Sequence, residues 1–253
     1  MASYYHEESG QKAVDWIEKY CTHVKGALGG EPFILEDWQK NDIIKPLFGT
    51  LREDGLRQYR QAYIEVPRKN GKSNLCAAIA LYMLFADGEP GAEIISAAGD
   101  RNQARIVFEI ASAMCATNPK LSGHGKVLRN TIEYKNSFYK AISAEANTKH
   151  GFNAHAVILD ELHVFPDRDL YDVLKTSTGA RTQPMVIAIT TAGHDTSSIC
   201  YELHDYAKKV KEGSIQDDTF LPVIYAADKN DDWTQEATWA KANPGFGTIC
   251  KKD

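Results

Sequence analysis

The segment Val66-Pro67-Arg68-Lys69-Asn70-Gly71-Lys72-Ser73 crowds cations, a glycine and a hydroxyl into one short stretch. That combination suits a ligand bearing several anionic oxygens. Backbone N–H groups of a tight loop at a helix N-terminus can cradle phosphates, and Lys72 can reach the β- and γ-phosphates. The Ser73 hydroxyl would sit on Mg²⁺, with Pro67 to Asn74 wrapping the nucleotide. Val66 stands where the common G-x-x-x-x-G-K-[ST] pattern has its first glycine. A bare Gly-Lys-Ser is a weak signal, and a basic turn before a helix is spelled the same way. The β-rich run before it and the apolar helical pattern after it supply the context a phosphate loop needs.

Ala156-Val157-Ile158-Leu159 ends in Asp160-Glu161. A continuous apolar run suits a strand buried on both faces, and carboxylates at its end would lie where α/β sheets bind ligands. Asp160 could hold Mg²⁺, largely through water, and Glu161 could orient or deprotonate an attacking water. A strand ending in solvated acids is the alternative. Phosphate loop and acidic strand end together predict a nucleoside triphosphatase. Met185–Thr190, ending Thr190-Thr191-Ala192-Gly193, could place hydroxyls near the γ-phosphate, although a plain strand-to-turn transition reads the same way.

The elements that must carry these residues follow from periodicity. Helical patterns are expected at Ser9–Val24, Glu36–Phe48, Gly71–Ala86, Arg101–Thr117, Asp169–Ser177 and Ser197–Glu212. Strands are expected at Gln61–Val66, Glu93–Ala97, Ala156–Leu159, Met185–Thr190 and Phe220–Tyr225. That alternation reads as βαβ units around a mainly parallel sheet, with an antiparallel hairpin inserted within Lys126–Ser143. A short helix candidate and Asn243-Pro244-Gly245 follow an acidic, turn-rich stretch from Asp228, which reads as a linker.

With 253 residues, 43% hydrophobic and 25% charged, the composition is that of a globular chain able to bury a large core. The net charge of −5 excludes a uniformly basic nucleic-acid-binding surface, so DNA contact would need a local patch. The five scattered cysteines form no metal or disulfide pattern, which fits a reducing cytosol. No signal peptide or bilayer-spanning run is evident, and no membrane partner is expected.

The Pro-Arg-Lys-Asn-Gly-Lys-Ser loop, the Ile-Leu-Asp-Glu-Leu-His strand end and the Thr-Thr-Ala-Gly segment resemble the large terminase subunit of tailed double-stranded-DNA bacteriophages. Phe33-Ile-Leu-Glu-Asp-Trp38-Gln39, the Ile95–Ala104 stretch and Ala240-Lys-Ala-Asn-Pro244 resemble its flanking segments. The resemblance implies an α/β fold of the P-loop NTPase class, ASCE or RecA-like. That fold has three layers, α/β/α, a mainly parallel central sheet, N-terminal helices and an inserted β-hairpin. It divides the chain into an N-terminal helical segment (1–50), an ATPase core (51–227) and a linker (228–253) toward a C-terminal nuclease domain. No acidic cluster is left to build that domain, so no nuclease activity is expected of this chain.

Further implications concern ligands and partners. ATP and Mg²⁺ are the implied cofactors. Trp38 and Gln39 would lie near the base, Arg68 would contact the nucleotide, and Thr190 and Thr191 would couple hydrolysis to movement. A trans-acting cation is expected near Lys149, with Arg101 an equal candidate and Arg129 or Arg181 as others; lysine lacks the planar fork that suits a transition-state phosphate. Implied partners are double-stranded DNA, the portal protein and the small terminase subunit. The active form would be a homo-oligomeric ring, although the isolated chain could be a monomer. It would act in the host cytoplasm, docked on the procapsid portal. The cationic stretches Lys126–Lys140 and Lys208–Lys211 are candidates for DNA phosphates, or simply solvated faces. His163 alone among the histidines is placed near the acid pair. Two rival readings are a different RecA-like DNA motor and a non-hydrolysing module that docks portal or small subunit.

Overall fold

The computed structural model describes residues 3–143 and 151–250. The chain opens with β1 (Ser3–Tyr5) and α1 (Glu7–Tyr20). A π-helical stretch, Gln39–Ile44, then runs into α2 (Lys45–Gly49) and β2 (Thr50–Arg52), which pairs antiparallel with β1. The helix expected over Glu36–Phe48 is therefore wound differently at its start. Its Lys45 N–H reaches back five residues to the Lys40 carbonyl, a rare arrangement that tends to mark functional sites.

Next come β3 (Gln61–Glu65), α3 (Lys72–Phe85), β4 (Glu93–Ala98) and α4 (Arg101–Thr117). A short α5 (Pro119–His124) leads to β5 (Gly125–Val127), β6 (Thr131–Tyr134) and β7 (Ser137–Ser143). The rest of the core is β8 (Ala156–Asp160), α6 (Asp169–Thr176), β9 (Met185–Thr190), α7 (Ile199–Lys211) and β10 (Phe220–Ile224), before α8 (Glu236–Ala242).

One eight-stranded sheet takes the order β10-β3-β9-β8-β4-β7-β6-β5. The strands from β10 to β7 are parallel, and β6 and β5 continue antiparallel. The hairpin expected within Lys126–Ser143 is β6–β7, turning through Lys135 at a φ of 53°. Its second arm is itself a core strand against β4. A turn signal identifies which two strands are neighbours, and says nothing about what pairs along the far edge of either.

The sheet is covered on both faces, so its central strands are apolar throughout: every residue of β8 and β9 is buried. Alternate residues divide between two cores. Ile64, Ile158 and Ile187 join one with α3 and α4, while Tyr63, Val157 and Val186 join the other with α6 and α7. Helix α3 is buried from Leu75 through Leu84, around its whole circumference. Such a helix needs cover on its outer side as well. The N-terminal segment supplies it: Trp16 and Phe48 meet the Tyr82 ring edge-on at 5.7 and 4.7 Å.

At the N-terminal end of the parallel strands a buried charge cluster ties three connections together. Asp87, after α3, pairs with Arg57 and lies 2.6 Å from Nε2 of the fully buried His155, just before β8. Arg57 also donates to the Gln183 carbonyl at 2.6 Å. Burial alone would raise the Asp87 pKa, but the His155 hydrogen bond and the Arg57 charge more than offset it and hold it below the usual carboxylate value. Removing one member of such a cluster strands the others without water. Asp87→Ala is expected to cost about 3–5 kcal/mol in urea unfolding; a loss under about 1 kcal/mol would show that the cluster is not stabilising the strand ends.

Candidate active site

Because six strands run parallel, their C-terminal ends share one edge, and the loops leaving β3 and β8 meet there. The loop after β3 bends sharply. Lys69 and Gly71 both adopt left-handed backbone, at φ 70° and 74°. The first is strained for a residue with a side chain, whereas glycine accepts it freely. Asn70 holds the bend from inside, fully buried, with its amide nitrogen donating to the Pro67 and Arg68 carbonyls at 3.1 and 3.2 Å. The first turn of α3 therefore opens onto the loop with its N–H groups unspent, the geometry that receives an anion.

Lys72 is 6% exposed and curls over this loop, its ammonium donating to the Val66 and Pro67 carbonyls at 3.4 Å each. The same nitrogen lies 3.6 Å from Glu161 Oε1. Arg68 and Lys69 are exposed at the rim. A cavity of about 600 Å³ brings Arg68, Lys72, Ser73, Gln103, Glu161 and His163 together, with Gly71 and Asn74 on its wall.

Asp160, 2% exposed, ends β8 with its Oδ1 buried and without a hydrogen-bond partner. Burial, reinforced by the Glu161 charge, pushes its pKa up to about 7 against the pull of Lys72. Glu161 leaves the strand through left-handed backbone at φ 53°, which turns its side chain toward Lys72. The two reactive loops hang from consecutive carbonyls of β9. Glu161 N–H donates to Ile189 O at 2.9 Å, and Val66 N–H donates to Thr190 O at 3.1 Å.

Thr190 and Thr191 line neither this cavity nor the one beside it; they reach the acid pair through His163. The Thr190 hydroxyl donates to the Thr191 carbonyl and accepts from the His163 backbone N–H. His163 Nδ1 lies 3.1 Å from Thr190 Oγ1, 3.3 Å from Thr191 Oγ1 and 3.2 Å from Glu161 Oε2. Burial, with the nearby cations, outweighs Glu161 and keeps the His163 pKa below its ordinary value.

Gln39 is fully buried beneath the phosphate loop. Its Oε1 accepts from Glu36 N–H at 3.0 Å, while Nε2 has no partner and lies 3.7 Å from where a side chain on Gly71 would begin. Trp38 turns into the core, edge-on to Tyr225 at 5.6 Å, and neither it nor Gln39 lines either cavity. Arg101 is exposed at the start of α4 and faces a separate groove with Arg129 and Lys140, away from the phosphate loop. Lys149 lies outside the described residues.

Sequence reasoning missed one participant. The turn after α8, read as a linker, folds back onto the loop: Gly245 N–H donates to Asn70 Oδ1 at 3.0 Å, and Ile249 packs near Gly71. Asn243-Pro244-Gly245 announced a turn but gave no hint of where it docks.

The residues present fit a divalent cation beside phosphates. Asp160 offers a buried, unpaired carboxylate oxygen, and Ser73 a hydroxyl on the same cavity, a sparse oxygen set of the kind Mg²⁺ uses with substrate phosphates.

A phosphate loop on β3 and an acid pair on β8, with β9 between them, define a P-loop nucleotide-binding domain of the RecA-like kind. Residues 37–209 match the terminase large subunit, ATPase domain, and the chain belongs to that family. It is 32% identical over 250 residues to the terminase large subunit of Enterobacteria phage HK97, and 23% identical to that of Lactococcus phage p2. The chain spans about half the length of these curated relatives, 47% and 46%. The crystal structure of the HK97 bacteriophage large terminase is similar at a TM-score of 0.83 and 28% identity, over 96% of this chain and 49% of that one. A large terminase from a thermophilic bacteriophage, solved in complex with ADP, shares the fold at a TM-score of 0.50 and 10% identity, over 76% of this chain and 49% of that chain.

The buried Asp160 carboxyl carries a pH signature. Its folded pKa lies above the value of an unfolded aspartate, so the folded state holds more protons between about pH 4 and 7 and loses stability as pH rises through that window. In metal-free buffer, Asp160→Asn is expected to raise the melting temperature at pH 8 by at least about 3 °C and to have little effect at pH 4. An equal effect of the substitution at both pH values would contradict the raised pKa.

Proposed function

We propose that this domain binds ATP with Mg²⁺ and hydrolyses it to drive double-stranded DNA into a viral procapsid. The observation that carries the reading is the meeting of Lys72, Ser73 and Glu161 in one cavity beside the unpaired oxygen of Asp160. Phosphoryl transfer asks the protein for positioning and charge rather than covalent chemistry. The loop from Pro67 to Asn74 holds the phosphates through backbone N–H groups, Lys72 neutralises charge, and Arg68 reaches the nucleotide from the rim. Ser73 and Asp160 would hold Mg²⁺, which supplies charge neutralisation between the phosphates when bound. Glu161 orients water and takes its proton, and His163 links it to Thr190 and Thr191, the route by which hydrolysis moves β9. Gln39 presents a donor to the base, because its oxygen is already committed to Glu36.

In this reading, residues 1–50 brace an ATPase core of 51–227, and 228–253 lead on from it. The working form is a ring docked on a portal in the host cytoplasm, fed by a small subunit. The cation supplied to a neighbour's site is Arg101 or Lys149. Duplex phosphates meet the groove between α4 and β5–β7, where Arg129 and Lys140 form no ion pair among the described residues.

Glu161→Gln is expected to keep ATP affinity and lose turnover by at least about a hundredfold. Steady-state hydrolysis against protein concentration, with and without duplex DNA, checks it; wild-type turnover in the variant would remove Glu161 from its role. Replacing Arg129 and Lys140 together by Ala is expected to flatten the salt dependence of DNA binding by about 2 in log–log slope. An unchanged slope would place the DNA elsewhere.

A further inference from the structure

A second cavity, of about 1160 Å³, adjoins the phosphate cavity and shares Gly71 and Asn74 with it. One wall is Phe33 to Asp37 together with Lys40. The other is formed by Thr248 and Ile249, from the turn that follows α8. We propose that this turn, residues 243–250, is the outer wall of the nucleoside site, and that the purine base of the nucleotide lies between Ile249 and the Phe33–Asp37 wall. The inference rests on the reading that the phosphate loop takes a nucleoside triphosphate.

Three observations support it. The first is continuity: a ligand whose phosphates occupy the loop at Gly71 and Asn74 has its nucleoside end in the adjoining space and nowhere deeper in the sheet. The second is chemistry. Leu28, Ile34 and Ile249 are large apolar side chains left 55%, 56% and 37% exposed around this cavity, a surface that a flat heteroaromatic ring would cover. The third is attachment. Thr248 Oγ1 donates to Glu36 Oε2 at 3.0 Å, joining one wall to the other. Asn70 binds the turn to the phosphate loop through Gly245 N–H, and Asn243 Oδ1 lies 3.4 Å from its amide nitrogen. A side chain on Gly245 would begin 2.8 Å from Asn70 Oδ1, so this approach requires glycine.

The wall is therefore not a passive neighbour. It is held by the same asparagine that shapes the phosphate loop, and a bound base would order it from the other side. Segment 243–250 would stiffen when a nucleoside is present and would not respond to phosphates alone.

The test compares ATP with inorganic tripolyphosphate on the intact chain, by calorimetry and by amide hydrogen exchange. Ile249→Asp, at a part-exposed position that the core does not need, is expected to weaken ATP binding by at least about tenfold and to leave tripolyphosphate binding within about twofold of wild type. ATP, and not tripolyphosphate, is expected to slow exchange across residues 245–250. ATP binding unchanged in Ile249→Asp, or exchange there indifferent to ATP, would overturn the proposal while leaving the phosphate site intact. A wild-type chain that binds neither ligand would overturn both this inference and the reading it rests on.

Discussion

Asp160 is an acid at the end of a strand buried on both faces, with one oxygen that no protein group satisfies. A second acid follows it directly, and the ammonium beside the pair is the Lys72 of another loop. A negative charge in that position is costly, and the surrounding structure is arranged around it. The loop after β3 wraps until Lys72 lies between its own carbonyls and Glu161, and α3 points its N-terminus at the same spot. The left-handed backbone at Lys69 and Glu161 is strain that a sequence under selection for stability alone would have removed.

Much of this was legible because the signals were local. Helix α4 falls at Arg101–Thr117, as its periodicity required, and β9 at Met185–Thr190, because a short continuous apolar run bounded by turn residues has few other uses in an α/β chain. The sharp loop after β3 and the acids at the end of β8 fall where the sequence placed them despite the missing first glycine, since Val66 directly follows the strand and the loop's left-handed positions fall on Lys69 and Gly71. What was not legible depended on distant partners. No pattern in β7 reveals that it pairs with β4, and the π-helical winding over Gln39–Ile44 has the same letters as an ordinary helix.

Site residues divide along the same line. Lys72, Ser73, Asp160 and Glu161 are neighbours in space because their loops leave parallel strands at the same edge, which the alternation of elements already implied. Trp38 and Gln39 are adjacent in sequence yet part company, one into the core and one under the loop, because the winding there aims successive side chains differently. The turn at Gly245 could not be assigned from sequence at all: its contact with Asn70 joins residues 175 positions apart.

One strand holds both of these loops. β9 lies between β3 and β8, and its last two carbonyls, Ile189 and Thr190, each hold one reactive loop. The loop that carries Lys72 and the loop that carries the acids are thus hung on a single post. At its far end Met185 N–H donates to the His155 carbonyl, beside the buried charge cluster, so one strand ties that cluster at one edge of the sheet to both loops at the other.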